Sequence, residues 1–394
     1  MATAVIIPPV PEAIGSDAAG VRAHVGLNAQ LLAPPGTYRG AGISGYIAGL
    51  ISHLPHSAPD LRFTAWLPQR REGWAGLEQR ESGLSGDRVM ARVLWEQGRL
   101  PVEAMRLGVD LLHGLAFALP MLSPIPAVVT VPDMSYLLFP HYHARGRRLY
   151  LNLATRLAVA KARAVVAISE CTKRDVCRLL GVSEAKVAVT HLGVDEQFAP
   201  PLPEERAAFL EKVGLKHYIY YQGTLEPRKH LLTLVEAFAL LRRSGWREHK
   251  LVLGGAPGWG YQRIYEAVER EGLAEDVVFL GYVPPEESPR WYGGADLFVY
   301  PSAYEGFGLP PLEAMACGTP VVTSDASSLP EVVGNAGLMV RPGDARALME
   351  AMLRLLSDPA LRSELSAKGL ARARRFSWTA TAKATSDLYA RCLA

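Results

Sequence analysis

The chain has 394 residues, 49% hydrophobic and 21% charged, with 42 Lys+Arg against 39 Asp+Glu and a formal charge of +3. This composition excludes a disordered, collagen-like or coiled-coil chain, and so small a basic excess argues against a dedicated nucleic-acid binder. The length suits two to three domains with cores that need no disulfide staples.

Charge is uneven along the chain: residues 1–195 hold 20 basic and 15 acidic side chains, the remainder 22 and 24. The first half therefore leans toward an anionic partner or a membrane surface, against a bland reading of ordinary scatter. Met1 is followed by an apolar stretch with no basic n-region, so no signal peptide is expected and the expected compartment is the cytoplasm. Strands are predicted at Val25–Leu32, Phe63–Leu67, Leu111–His113, Val128–Val131, Ala164–Ile168 and Val187–Thr190, with helices at Tyr46–Leu54 and Thr172–Leu180. The apolar segment Leu111–Val131 is broken by Pro120, Pro124 and Pro126, which rules out a membrane span there. Over Met134–Ser169, Arg145, Arg147, Arg148, Arg156, Lys161 and Arg163 interleave with Tyr150, Leu151, Leu153, Leu157 and Val159, and no acidic residue occurs. A basic amphipathic helix at 145–163 is the pattern of peripheral membrane contact, or of a half-buried helix with a basic outer face.

A domain boundary is expected near Val194–Pro203, giving domains 1–197 and 198–377 and a final amphipathic helix over 378–394. Beyond it, strands are predicted at Tyr218–Gly223, Lys250–Gly255, Val277–Gly281, Leu297–Pro301, Pro320–Ser324 and Gly337–Val340. Helices are predicted at Leu231–Arg243, Ile264–Glu271, Ser288–Tyr292, Pro310–Ala316, Leu329–Val333 and Ala345–Leu356. Such alternation means parallel strands joined by crossover helices, an α/β architecture whose ligands bind beyond the strands' carboxyl ends.

Two segments there carry chemistry. In Tyr300-Pro301-Ser302-Ala303-Tyr304-Glu305-Gly306-Phe307-Gly308-Leu309-Pro310-Pro311-Leu312-Glu313, a strand runs through a glycine loop into a proline-opened helix. Gly306 and Gly308 let backbone approach a ligand. The helix N-terminus suits a phosphate, and Glu305 and Glu313 suit sugar or ribose hydroxyls. In Gly223-Thr224-Leu225-Glu226-Pro227-Arg228-Lys229-His230, two adjacent cations at a strand end suit a diphosphate. No D-x-D pair occurs, and His113, His141 and His143 have no ligand-set spacing, so no metal is expected. Cys171, Cys177, Cys317 and Cys392 form no C-x-x-C pair and read as reduced thiols. Gly40-Ala41-Gly42-Ile43-Ser44-Gly45 formally matches a dinucleotide fingerprint, which keeps an NAD(P)-dependent oxidoreductase as an alternative. The context opposes it: seven residues separate the glycines from the preceding strand, and Asp60 precedes a strand instead of ending one.

These residues resemble the retaining nucleotide-sugar glycosyltransferases of family four, from about Val25 to the C-terminus, most specifically in Glu305-x7-Glu313 and "GTLEPRKH". The resemblance implies the GT-B architecture, two facing Rossmann-like domains with parallel sheets and a cleft between them, and a final helix crossing back onto the first domain. It implies that Arg228 and Lys229, after Gly223, hold the diphosphate of a donor such as GDP-mannose or a UDP-sugar. Glu305 would bind the donor sugar and Glu313 the ribose. Gly306, Phe307, Gly308, Leu309 and Leu312 would line the phosphate side, Tyr282 and Val283 the base, and Gly42 the diphosphate from the other domain. His113 and Asp133, at predicted strand ends, are the acceptor-side candidates, although the chain has Leu115 and Pro132 where relatives carry histidines. The expected reaction moves a hexosyl group, mannose by resemblance, to a glycan or lipid-linked acceptor without a metal. A non-catalytic nucleotide-sugar binder of the same fold is the remaining alternative.

Overall fold

The computed structural model describes residues 23–33, 42–84, 89–142 and 144–394. Gly40, Ala41 and His143 lie outside the described residues.

The first lobe contains strands β1 (His24–Asn28), β2 (Arg62–Leu67), β3 (Glu78–Glu81), β4 (Leu111–Gly114), β5 (Ala127–Val131), β6 (Ala164–Ala167) and β7 (Val187–Val189). Its helices are α1 (Ile43–Ser57), α2 (Val89–Gln97), α3 (Arg99–Arg106), α4 (Ser135–Leu138), α5 (Arg145–Lys161) and α6 (Glu170–Leu180). The second lobe contains β8 (Tyr218–Gln222), β9 (Lys250–Gly254), β10 (Val277–Gly281), β11 (Leu297–Tyr300), β12 (Val321–Ser324) and β13 (Gly337–Val340). Its helices are α7 (Pro203–Val213), α8 (Leu231–Arg243), α9 (Gln262–Arg270), α10 (Ser288–Gly294), α11 (Leu309–Ala316), α12 (Leu329–Val333), α13 (Ala345–Ser357) and α14 (Pro359–Ala373). A last helix, α15 (Trp378–Leu393), ends the chain.

Every strand pair is parallel. The strand orders are β3-β2-β1-β4-β5-β6-β7 and β10-β9-β8-β11-β12-β13. Both follow the doubly wound order, which reverses direction beside the first strand of each set. Parallel sheets covered on both faces bury whole strands: β1, β5, β6, β11 and β12 have no exposed residue. The edge strand β3 is a finding beyond the predicted elements. Its sequence, Glu-Gln-Arg-Glu, has no apolar alternation, because an edge strand is half solvated and its charges guard the open edge.

The lobes meet along two adjacent chain crossings. Val194 pairs with Ser377 as an isolated parallel bridge, and the Val194 N–H donates to the Phe376 carbonyl at 3.1 Å. After this crossing α15 packs along α1 of the first lobe. No helix among the described residues is long and apolar enough to cross a membrane.

Candidate functional site

In a sheet of this order a ligand sits outside the carboxyl ends of the strands, where the winding reverses. In the second lobe that point lies between β8 and β11. The loop after β8 carries Gly223 to Lys229, and the loop after β11 carries Ser302 to Gly308. The topology thus brings the two motif segments together.

Glu305 is the hub. Its carboxylate accepts from the buried Lys229 ammonium at 2.5 Å and from Ser302 Oγ at 2.5 Å, and lies 3.5 Å from the Arg228 guanidinium. Burial alone would raise its pKa, but Lys229 and Arg228 overcome that and hold it down at about 2. Burial lowers Lys229, with Glu305 pulling it back up and Arg228 pushing it further down. Lys229 has three N–H donors; one goes to Glu305 and one to the Tyr300 hydroxyl at 2.7 Å. Arg228 also donates to Glu226 at 2.7 Å and to the Tyr304 carbonyl. Burial works against its charge, yet Glu305 and Glu226 raise its pKa. Two cations and two carboxylates therefore neutralise one another here. Both cations are already paired with carboxylates, a condition that loop composition did not reveal.

Gly308, at φ +117°, caps α11 in a backbone conformation that suits glycine. Pro310 and Pro311 have no N–H, and the Leu312 N–H turns back to the Gly308 carbonyl at 3.4 Å. Of the first three helical positions only Leu309 carries a donor toward an anion. The helix end expected to suit a phosphate therefore offers one N–H in its first turn instead of a row of them. Leu312 is fully buried and Phe307 3% exposed, so their side chains pack in the core.

Glu313, one turn into α11, is half-buried and accepts from the Tyr292 hydroxyl at 2.7 Å. Burial pushes its pKa up to about 7, against the lowering effect of that hydrogen bond. Val283 is buried against Gly254 at the end of β9, and Tyr282 is half-buried beside it. Gly223 donates its N–H to the Gly254 carbonyl at 2.9 Å, fixing the loop after β8 to the end of β9. Gly42 lies at the opening of α1 in the first lobe, with nothing within 4 Å of where a Cβ would stand.

The two acceptor-side candidates separate. Asp133 follows β5 and accepts from the Ser135 N–H at 2.9 Å and hydroxyl at 2.7 Å. It faces the loop after β11, since a Cβ on Gly306 would stand 3.1 Å from the Asp133 Cβ and fall on the Pro132 carbonyl. The placement of His113 in the cleft is corrected. Its ring is fully buried, bonded at 2.6 Å to the Tyr389 hydroxyl of α15 and at 2.9 Å to Thr130 Oγ1. Burial lowers its pKa to about 3, so it is a neutral core residue that pins α15.

Residues far apart in sequence complete the cleft. The Gly306 carbonyl accepts from Ser169 Oγ at 2.7 Å and from Thr172 Oγ1 at 3.2 Å, and Tyr304 donates to Asp175 at 2.9 Å. Glu331 of α12 accepts from the Glu170 N–H at 2.8 Å and from His191 Nε2 at 2.6 Å. No spacing rule connects residues some 130–160 positions apart, so sequence reading missed them.

One trio with metal-ligand chemistry occurs among the described residues: His217, His249 and Asp296, preceding β8, β9 and β11 at the far end of the sheet. The Trp246 indole N–H donates to His249 Nδ1 at 2.9 Å. The proton of the neutral imidazole is then on Nε2, which faces Asp296 Oδ2 at 3.3 Å, while Arg206 takes Oδ1 at 2.8 Å. In this structure the trio is joined as a hydrogen-bonded network around the Asp296 carboxylate.

Comparison with known proteins agrees with this geometry. Residues 204–372 match the family described as Glycosyl transferases group 1, and residues 63–198 match Glycosyltransferase Family 4. The chain is 38% identical over 279 residues to the O-antigen chain mannosyltransferase B of Escherichia coli, covering 70% of this chain and 73% of that protein. Among solved structures, sucrose-phosphate synthase from Thermosynechococcus elongatus superposes with a TM-score of 0.77 at 22% identity, over 94% of this chain and 99% of that one. HepE from Anabaena, solved with UDP and glucose, superposes with a TM-score of 0.73 at 18% identity, over 94% and 100%. The two lobes have the GT-B fold, and the chain belongs to the group 1, family-four glycosyltransferases, enzymes that transfer hexosyl groups.

Proposed function

We propose that the protein transfers mannose, with retention of configuration, from GDP-mannose to a glycan or lipid-linked acceptor, without a resident metal ion. The observation that carries this reading is the Arg228–Lys229–Glu305 cluster at the β8/β11 switch point. The sugar identity is taken from the relative named a mannosyltransferase. An acceptor oxygen bonds to the anomeric carbon as the bond from that carbon to the donor phosphate oxygen breaks, and the acceptor proton passes to a donor phosphate oxygen. Arg228 and Lys229 stabilise the charge that develops on the leaving diphosphate, and Glu305 orients the sugar hydroxyls. Glu313 receives the ribose hydroxyls, and Tyr282 and Val283 border the base. Peripheral attachment to the inner face of a membrane through 145–163 belongs to the same reading. It is supported by the exposed leucines of α5 among its arginines.

The test offers GDP-mannose and UDP-glucose separately, each with octyl α-mannoside, and follows the product by NMR. An α-linked mannosylated product from GDP-mannose is expected. Transfer from UDP-glucose alone overturns the choice of donor. Failure of GDP and UDP alike to raise the melting temperature, with no transfer, overturns the whole reading.

A further inference from the structure

We infer that Phe139, Tyr142 and Trp259, at the mouth of the cleft, form an acceptor subsite that stacks a sugar ring, so that the acceptor is an already formed glycan chain. Trp259 is 48% exposed, unusual for so large an apolar side chain, and exposed apolar surface beside a cleft marks a binding site. Its ring centroid lies 5.3 Å from that of Tyr142. Tyr142 stacks on Phe139 at 5.7 Å with the planes 6° apart, and Phe139 lies 5.6 Å from Tyr304. Tyr304 precedes Glu305, and its carbonyl accepts from Arg228. A continuous line of rings thus leads from the donor loop to solvent, with Phe139 and Tyr142 from one lobe and Tyr304 and Trp259 from the other.

The exposure of Trp259 is not looseness. Its turn is hung on the loop that carries Arg228 and Lys229: Leu225 donates to the Ala256 carbonyl at 3.0 Å, and Gly258 donates back to the Leu225 carbonyl at 3.0 Å. A Cβ on Gly258 would stand 2.8 Å from the Leu225 carbonyl oxygen, so the turn is pressed against that loop. A turn fixed in place before binding loses less entropy than a free loop when a ligand stacks on it. The polar groups around the platform fit a sugar better than a lipid tail. The exposed His141 stands against Tyr142 on the first-lobe side, ring centroids 4.4 Å apart, and Glu226 abuts the Trp259 turn, its Cβ 3.2 Å from a Cβ on Gly258. A pyranose offers an apolar C–H face to a flat ring and a rim of hydroxyls to such acceptors.

This inference rests on the proposed sugar transfer for its placement, and its test reads binding directly. Mannotriose is titrated calorimetrically into the full chain, into Trp259→Ala and Tyr142→Ala, and into Trp259→Phe, which keeps a ring and controls for folding. Each alanine variant is expected to bind mannotriose about tenfold more weakly, and Trp259→Phe within about threefold of wild type. Wild-type affinity in Trp259→Ala, no mannotriose binding by the wild type, or loss of binding to anionic vesicles instead of sugar overturns the inference. The GDP-induced rise in melting temperature is measured on the same samples. Its absence, with the mannotriose differences intact, fails the donor reading and leaves this subsite standing.

Discussion

Lys229 is where burial and charge oppose each other most directly. It is 7% exposed, and its ammonium is stabilised by Glu305 at 2.5 Å and the Tyr300 hydroxyl at 2.7 Å. Removing one member of a buried pair leaves the other uncompensated, at a cost of about 3–5 kcal/mol. Lys229→Ala is therefore expected to cut transfer at least about a hundredfold by losing the proposed diphosphate contact and to change acid stability as well. Glu305, held at about 2 in the fold, contributes stability that is complete above the ordinary carboxylate range and lost as pH falls toward 2. Without Lys229 the folded value rises, so the acid-side loss begins at a higher pH. Acid titrations of the two proteins followed by circular dichroism check this, and superimposable acid limbs would contradict it. The charged residues of this cluster were legible in the sequence because glycine and proline punctuate the strand ends that carry them. Their mutual neutralisation was not, since 76 positions separate Lys229 from Glu305 and nothing local pairs them.

At the scale of elements, the buried strands were readable from continuous Val, Leu, Ile and Tyr runs, whereas β3, α2 and α3 were not. Strand β3 is charged at a solvated edge. Helix α2 leaves Met90 and Leu94 each 69% exposed, so its apolar residues do not mark a core-facing stripe. Helix α5 is basic and amphipathic as expected, and its outer face, with Arg145, Arg147 and Arg156 exposed, also carries an apolar stripe. Leu149, Leu153 and Leu157, at intervals of four, are 69%, 58% and 41% exposed, while Thr155, Ala158 and Val159 face inward. Residues four apart form one stripe along a helix, and here the stripe runs beside Arg145 and Arg156. A basic helix with an unburied leucine stripe suits an anionic bilayer, which rewards apolar insertion and charge together. Vesicles rich in phosphatidylglycerol are expected to co-sediment with the wild type at low salt and to release it at high salt. Leu153→Glu is expected to reduce binding about tenfold or more with no change in melting temperature. Equal retention of both proteins would show that the stripe has no such role.

For the molecule as a whole, the consequential contacts join the lobes. Strand–helix alternation was legible in the second lobe and less clearly in the first, and the two-lobed architecture came from the family resemblance, but how the lobes meet depends on groups with no sequence signature. Glu331 is the clearest case. Its carboxylate from the second lobe accepts the Glu170 N–H at 2.8 and 3.0 Å and the Cys171 N–H at 3.3 Å, at the N-terminus of α6 in the first lobe. His191 adds a bond at 2.6 Å. Burial opposes the charge, yet His191 and the backbone donors lower the Glu331 pKa overall. A carboxylate at a helix N-terminus is worth about 0.3–1 kcal/mol when exposed and up to about 2 when partly buried. The 42% exposed imidazole adds less because solvent screens it. About 1.4 kcal/mol changes a two-state equilibrium tenfold, enough to loosen the junction of the lobes when this contact is removed. Glu331→Gln retains the shape and removes the charge. It is expected to enlarge the radius of gyration in solution scattering and to lower kcat about tenfold. GDP affinity should stay near wild type, because Arg228, Lys229 and Glu313, which the proposed function assigns to the donor, all lie within the second lobe. A radius of gyration equal to wild type would show that the contact accompanies closure without sustaining it. Loss of GDP affinity would place the defect in the second lobe itself.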